Sequence, residues 1–383
     1  MKERGRNMDH DAYVTYHGNT DADREIAQRS VLFIDNETAA RVLTMEDTID
    51  VVEESYREWG LGRATATRAT HSVPRPGGDG WYTWDPMASA LPKMDALAVR
   101  MKSDILPPSG AQVKKYCVAP GKFCGLILLF STDDGAPLAI MNDGHIQHMR
   151  VGAAGAISVK HMARDDAAVL GLYGTAGMAT AHALAIARVR PIREIRVYSP
   201  NPEHRAAFAD RTSANMGVPV VAVDDPRQVM EGAEIVAACT NSLAPVIRGE
   251  WLEPGMHVLA VLPNEIDDDV FRRCHRYVYS RTPRTDYHVA DPEQRPAVGY
   301  EPIDTEWLER EERLLAREKR VFLSDVVLGR YPGRADPAEV TCFVTQGIPI
   351  QFAAAARKVY EGARALGLGH ELPLSWFLQD ISD

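Results

Sequence analysis

One short segment constrains this chain more than any other. Tyr173-Gly174-Thr175-Ala176-Gly177-Met178-Ala179 follows the apolar run Val169-Leu-Gly-Leu-Tyr173 and leads into helix-compatible sequence from Thr180 to Arg188. A glycine turn between a strand and a helix is where a dinucleotide pyrophosphate meets backbone amides at a helix N-terminus. In the G-x-G-x-x-G/A arrangement the first glycine makes the tight turn, the second admits the pyrophosphate, and the third position packs helix on strand. Gly174 and Ala179 fit the first and third positions. Ala176 stands at the second with an extra glycine at Gly177, so a slightly shifted approach of the phosphates is expected, with contacts from Gly174, Thr175, Ala176, Gly177 and Met178.

The surroundings repeat the pattern. Ile195–Tyr198, Val220–Val223 and Ile235–Cys239 are apolar runs separated by helical segments and followed by Val258–Leu262, the sign of a doubly wound parallel α/β sheet. An NAD-binding chain commonly ends its second strand with an acid for the ribose 2′-hydroxyl. Here the sequence reads Tyr198-Ser199-Pro200-Asn201 with Arg205 nearby, which tilts the expected cofactor from NAD toward NADP, with Ser199, Asn201 and Arg205 at the adenosine end. Thr240 and Asn241 end the fourth strand, where a loop crosses the nicotinamide-ribose side; a cap or turn role suits them equally.

Composition narrows the class. Across 383 residues, 45% hydrophobic and 25% charged content is that of a globular protein and excludes a disordered chain, a collagen-like repeat or a coiled coil. A net charge of −10 without a basic run argues against nucleic acid as partner. No apolar stretch reaches the ~18 residues of a membrane span, and the N-terminus lacks the apolar core of a secretory signal, so a cytoplasmic location is expected. Cys117, Cys124, Cys239, Cys274 and Cys342 contain no C-x-x-C pair and read as reduced thiols.

Residues 1–30 read as a polar arm. Thr44-Met-Glu-Asp47 matches a capping box, and Ile49, Val52, Tyr56 and Trp59 recur at helical spacing up to Gly60. Ala96–Val99, Gly125–Phe130 and Pro137–Ile140 read as a strand meander, Val151–Ala163 as a connecting helix of small residues, and Gly347–Leu366 as one long helix. Arg68, Arg100, Lys102 and Arg150 fall at strand ends or helix starts, where separated cations can converge on the carboxylate of a small amino or imino acid. His145 and His148 flank Arg150 with a spacing that does not suit a metal site.

With these landmarks in order, residues 31 to 370 resemble the ornithine cyclodeaminase/mu-crystallin family. The resemblance runs through Gly125–Phe130, Gly135–Ala139, Asp143-Gly144, Arg150, the Gly174 turn, Ala237–Thr240 with Pro245-Val246, Trp251–Gly255, Val327–Arg330, Gly333-Arg334 and Phe343-x-x-x-Gly347. It implies a Rossmann-type dinucleotide-binding domain (161–335) and an α/β substrate-binding and dimerisation domain (31–160 with 336–383). It implies a carboxylate-binding set at Arg68, Lys102 and Arg150, with Arg100 competing for the middle place, and a homodimer. Two positions depart from the pattern: Asn264 stands where an acid is expected, with Glu265 and Asp267 close by, and Phe352 where an aspartate is common.

The expected activity is therefore that of an NAD(P)-dependent oxidoreductase at the C–N bond of a small amino or imino acid. It would be an imine or ketimine reductase or an amino-acid dehydrogenase, with Lys102 and Asn264 as the catalytic candidates. Two alternatives are a cyclodeaminase releasing ammonia with a recycled NAD, and a non-enzymatic crystallin-like binder. Asn264 cannot exchange a proton at neutral pH, which counts against the cyclodeaminase unless Glu265 or Asp267 takes its place.

Overall fold

The computed structural model describes residues 21–75, 80–107, 115–280, 284–288, 309–310 and 312–379. Of the expected arm over 1–30, residues 1–20 lie outside the described residues, as do 281–283, 289–308 and 311 of the charged 281–335 segment. Two sheets organise the rest. The second is wholly parallel, in the order Val220–Ala222, Glu194–Tyr198, Val169–Tyr173, Ile235–Ala238, His257–Ala260, Thr341–Val344, Arg276–Tyr279, Arg320–Phe322. Its strand order reverses between Val169–Tyr173 and Ile235–Ala238, and ligands of open α/β sheets bind outside the strand ends at such a point. Burial on both faces explains the uninterrupted apolar runs that mark these strands: Ile235, Val236, Ala237 and Ala238 are all fully buried.

The first sheet is mostly antiparallel, running Arg284–His288, Thr65–Pro74, Trp81–Trp84, Ala96–Leu106, Cys124–Phe130, Pro137–Asn142, Ser30–Ile34, His370–Pro373, with Met87–Leu91 bridging Thr65–Pro74 and Ala96–Leu106. Its inner face is covered by the helix Pro349–Leu366, which buries Gln351, Phe352 and Ala353–Ala356. Alternation along Ala96–Leu106 turns Arg100, Lys102 and Asp104 toward that helix, and Val99 and Met101 to the opposite face.

Local signals explain most boundaries. Thr44 caps Met45–Gly60 by accepting from the Asp47 amide at 3.1 Å, a contact typically worth about 1 kcal/mol. Gly144–Met162, the helix that joins the two sheets, packs on Gly177–Val189 through its run of small residues from Gly152 to Ala156. Three expectations change. The helix expected between Val223 and Ile235 is only a 3₁₀ turn, Pro226–Val229, because a proline opens it and Gly232 turns the chain at φ +64. Thr341–Val344, expected with the substrate-binding part, lies inside the parallel sheet. Arg284–His288, expected with the nucleotide-binding part, pairs with Thr65–Pro74.

Candidate active site

The glycine turn sits at the topological switch point. Gly174 has φ +106, its amide donates to the Tyr198 carbonyl at 2.9 Å, and a Cβ on it would run into the Cys239 carbonyl of the neighbouring strand end. Thr175 and Met178 are half-buried, while Ala176 and Gly177 face solvent. Among the described residues no side chain caps the helix Gly177–Val189, which leaves its first-turn amides to an anion. These features fit a dinucleotide pyrophosphate.

The residues expected at the adenosine end are otherwise engaged. Asn201 caps Pro202–Met216, accepting from the Glu203 and His204 amides at 2.9 and 3.1 Å. Arg205 is buried, donates to the Ser199 carbonyl at 2.9 Å, pairs with Asp224, and lies over the Tyr198 ring. The tilt toward NADP rested on the missing acid together with these two side chains, and both side chains are satisfied within the protein. Asn241 is exposed; Thr240 instead bonds through its amide and hydroxyl to Glu265 at 2.6 and 2.8 Å.

The cations gather as the sequence suggests. Arg68 makes a two-point bridge to Asp85 (3.2 and 2.8 Å), and Lys102 bonds Asp104 at 2.8 Å and lies 3.9 Å from Asp85. Register connects them, since Arg68 pairs with Met87 and Met87 with Arg100 across three strands. Arg100 donates twice to Asp143 (2.6 and 2.5 Å), and that carboxylate consequently does not cap the helix it precedes.

Arg150 differs from the rest. It is buried, and its described partners are the side-chain oxygens of Gln351 and Gln147, each at 2.6 Å. Burial, then the nearby Arg100 and Arg68, push its pKa down to about 9, with Asp143 and Tyr56 opposing, so it stays cationic at neutral pH. A buried guanidinium without a carboxylate is costly unless an anion arrives. The same helix links this charge to the glycine turn: a Cβ at Gly177 would lie 3.0 Å from the imidazole of His148, two residues before Arg150. Burial lowers the pKa of both His145 and His148.

Asn264 donates through Nδ2 to the Ser242 carbonyl at 2.6 Å, and its Oδ1 is buried without a partner among the described residues. Neither neighbouring acid takes its place. Glu265 is fully buried and accepts from the Thr240, Val261 and Leu262 amides; burial raises its pKa against those bonds. Asp267 caps Asp268–Arg273 and also receives the Gly249 amide at 3.0 Å. Sequence reasoning missed Gln351 and the position of Phe352, whose ring lies under two guanidiniums, 4.2 Å from Arg150 and 5.0 Å from Arg100. Their place on the alanine-rich helix was the available signal; their nearness to Arg150 is tertiary.

Residues 29–367 match the ornithine cyclodeaminase/mu-crystallin family. The chain belongs to this family. The Δ1-pyrroline-2-carboxylate reductase of Bacillus cereus is 26% identical over 291 residues, 75% of this chain and 83% of that protein. The iminosuccinate reductase of Paracoccus denitrificans is 28% identical over 254 residues, 65% of this chain and 73% of that one. Among solved structures, the Thermococcus litoralis Δ1-pyrroline-2-carboxylate reductase in complex with NADH and L-proline has a TM-score of 0.73 at 25% identity, covering 89% of this chain and 100% of that chain.

Proposed function

We propose that the protein is an NAD(P)H-dependent reductase of the C=N bond in a small imino acid, and that Arg150 receives the substrate carboxylate. The observation that carries the site reading is a buried arginine held by neutral partners, on the helix whose His148 lies against a glycine turn suited to a dinucleotide. Similarity to two imine-reducing relatives supports the reaction class. Gly174 to Met178 would hold the pyrophosphate, and a reduced nicotinamide supplies the hydride when bound.

The chain's own side chains do the rest. Arg150 anchors the carboxylate, with Arg68 and Arg100 adding positive potential. Lys102, held between Asp104 and Asp85, keeps a proton at Nζ for the substrate nitrogen. Asn264 Oδ1 offers an acceptor where cyclodeamination would need an acid, and because Glu265 and Asp267 are committed to backbone amides, that alternative loses its replacement acids.

The outer face of the first sheet supports a homodimer. Phe33, Tyr82, Trp84, Met101 and Leu128 are all at least 36% exposed, and strand register puts them on one face. The test of the activity is a panel of imino and amino acids with NADH, NADPH and their oxidised forms, read by nicotinamide absorbance and by ammonia release. Carboxylate-dependent cofactor oxidation supports the proposal. Ammonia release from a diamino acid without net cofactor change, or no turnover with any member, would refute it.

A further inference from the structure

Each of the other cations in the cluster has a carboxylate: Arg68 has Asp85, Arg100 has Asp143, Lys102 has Asp104. Arg150 has amide oxygens instead, and the orientation of the more deeply buried amide is fixed from behind. Gln351 Nε2 donates to Tyr56 Oη at 2.7 Å, and that hydroxyl lies 2.6 Å from Ser280 Oγ, to which it can donate in turn. Gln351 Oε1 therefore faces Arg150, and it also accepts the Ile348 amide at 3.3 Å. All four side chains in this chain from Ser280 to Arg150 are buried.

A glutamate would fit this pocket on hydrogen-bonding grounds. The Arg150 guanidinium and the Ile348 amide are donors, and the Tyr56 hydroxyl can turn from Ser280 toward an oxygen. A carboxylate would also bind the guanidinium more strongly than an amide does. The amide holds the arginine in place while leaving its charge intact. We propose that Gln351 is a positioning residue whose neutrality reserves the charge of Arg150 for the substrate carboxylate, with Tyr56 and Ser280 setting the direction of its amide. This rests on the reading of Arg150 as the carboxylate site.

The test compares Gln351→Glu, Gln351→Met and Arg150→Ala for thermal stability, NADH affinity, and KM and kcat on the imino acid identified by the panel. Gln351→Glu should keep or raise the melting temperature and leave NADH affinity unchanged. Its KM should rise roughly 10- to 100-fold, by the strength of a hydrogen bond to a charged group, with kcat changing less. Gln351→Met loses the acceptor, so it should melt earlier yet raise KM less than the glutamate does. A purely structural role predicts the reverse order. The proposal is overturned if Gln351→Glu keeps KM within about threefold of wild type, if the methionine variant has the higher KM, or if the glutamate variant fails to fold. Arg150→Ala separates the two levels: should it leave KM unaltered, the carboxylate-site reading fails and this inference falls with it, whereas a raised KM there with a normal KM in Gln351→Glu sinks this inference alone.

Discussion

Gly174→Ala probes the glycine turn with a single added carbon. The residue sits at φ +106, and its amide is tied to the Tyr198 carbonyl at 2.9 Å, so the turn cannot rotate without breaking a sheet contact. A side chain held in such a backbone region costs about 1–3 kcal/mol. The new Cβ also meets the Cys239 carbonyl, a backbone atom that yields only if the neighbouring strand end moves, and overpacking of this kind costs a further 1–3 kcal/mol or so. The protein either keeps the turn and loses about 2–6 kcal/mol of stability, or relaxes it and must restore it to bind the cofactor. In the second case the lower bound of that strain weakens NADH binding about 30-fold or more. Gly217→Ala is the control, because Gly217 has φ +66 with open space around it and lies at the far end of Pro202–Met216. It should lower the melting temperature while leaving NADH affinity intact. The assay is fluorescence titration of NADH alongside thermal melts. If Gly174→Ala both melts and binds NADH like wild type, the turn is not constrained as argued and is not the phosphate site.

Arg150→Lys keeps the charge but loses the planar two-donor fork, so kcat/KM should fall by about 10-fold or more with NADH affinity unchanged; full activity would remove the bidentate argument. Acid sensitivity should have an identifiable part. Burial, followed by Arg334 and Arg190, lowers the pKa of His257 to about 3, and burial lowers that of His182 to about 4. Against an unfolded value near 6.5, the unfolded chain binds protons that the native protein refuses, so stability falls as pH drops from 6.5 toward 4, by about 1.4 kcal/mol per pH unit for each group. The melting temperature of His257→Gln should depend less steeply on pH than that of wild type over this window, and identical slopes would contradict the assignment. Light scattering at micromolar concentration should give a dimer, and Leu128→Glu, on the exposed sheet face, should shift it toward monomer. A wild-type monomer would remove that face from the account.

The parallel sheet and the capped helix Met45–Gly60 were legible because uninterrupted apolar runs, helical spacing, glycine turns and caps are local signals. The insertion of Thr341–Val344 between His257–Ala260 and Arg276–Tyr279 was not, since strand order depends on contacts between distant segments. The site divides in the same way. Residue types that suit a carboxylate pointed to Arg68, Arg100, Lys102 and Arg150, and the family resemblance to Arg68, Lys102 and Arg150, but neither to which cation lacks a countercharge among the described residues. That distinction depends on Asp85 and Asp143 arriving from turns outside the cations' own strands, and on Asp104 sharing a strand face with Lys102. Asn201 and Arg205 showed the converse failure, because a cap and a pairing with Asp224 consumed groups that looked available in sequence. Phe352 read only as a departure from the family's common aspartate, and tertiary placement put its ring beneath two guanidiniums.

The most direct test of the central claim is the initial rate of NADH or NADPH oxidation with 1-pyrroline-2-carboxylate and with 1-pyrroline, which share the C=N bond and differ in the carboxylate. The account predicts turnover of the carboxylated imine with kcat/KM at least about 30-fold above that of 1-pyrroline, from the ~2 kcal/mol lower bound on a buried arginine–carboxylate pair. Equal rates on the two imines, or cofactor oxidation with neither, would contradict it.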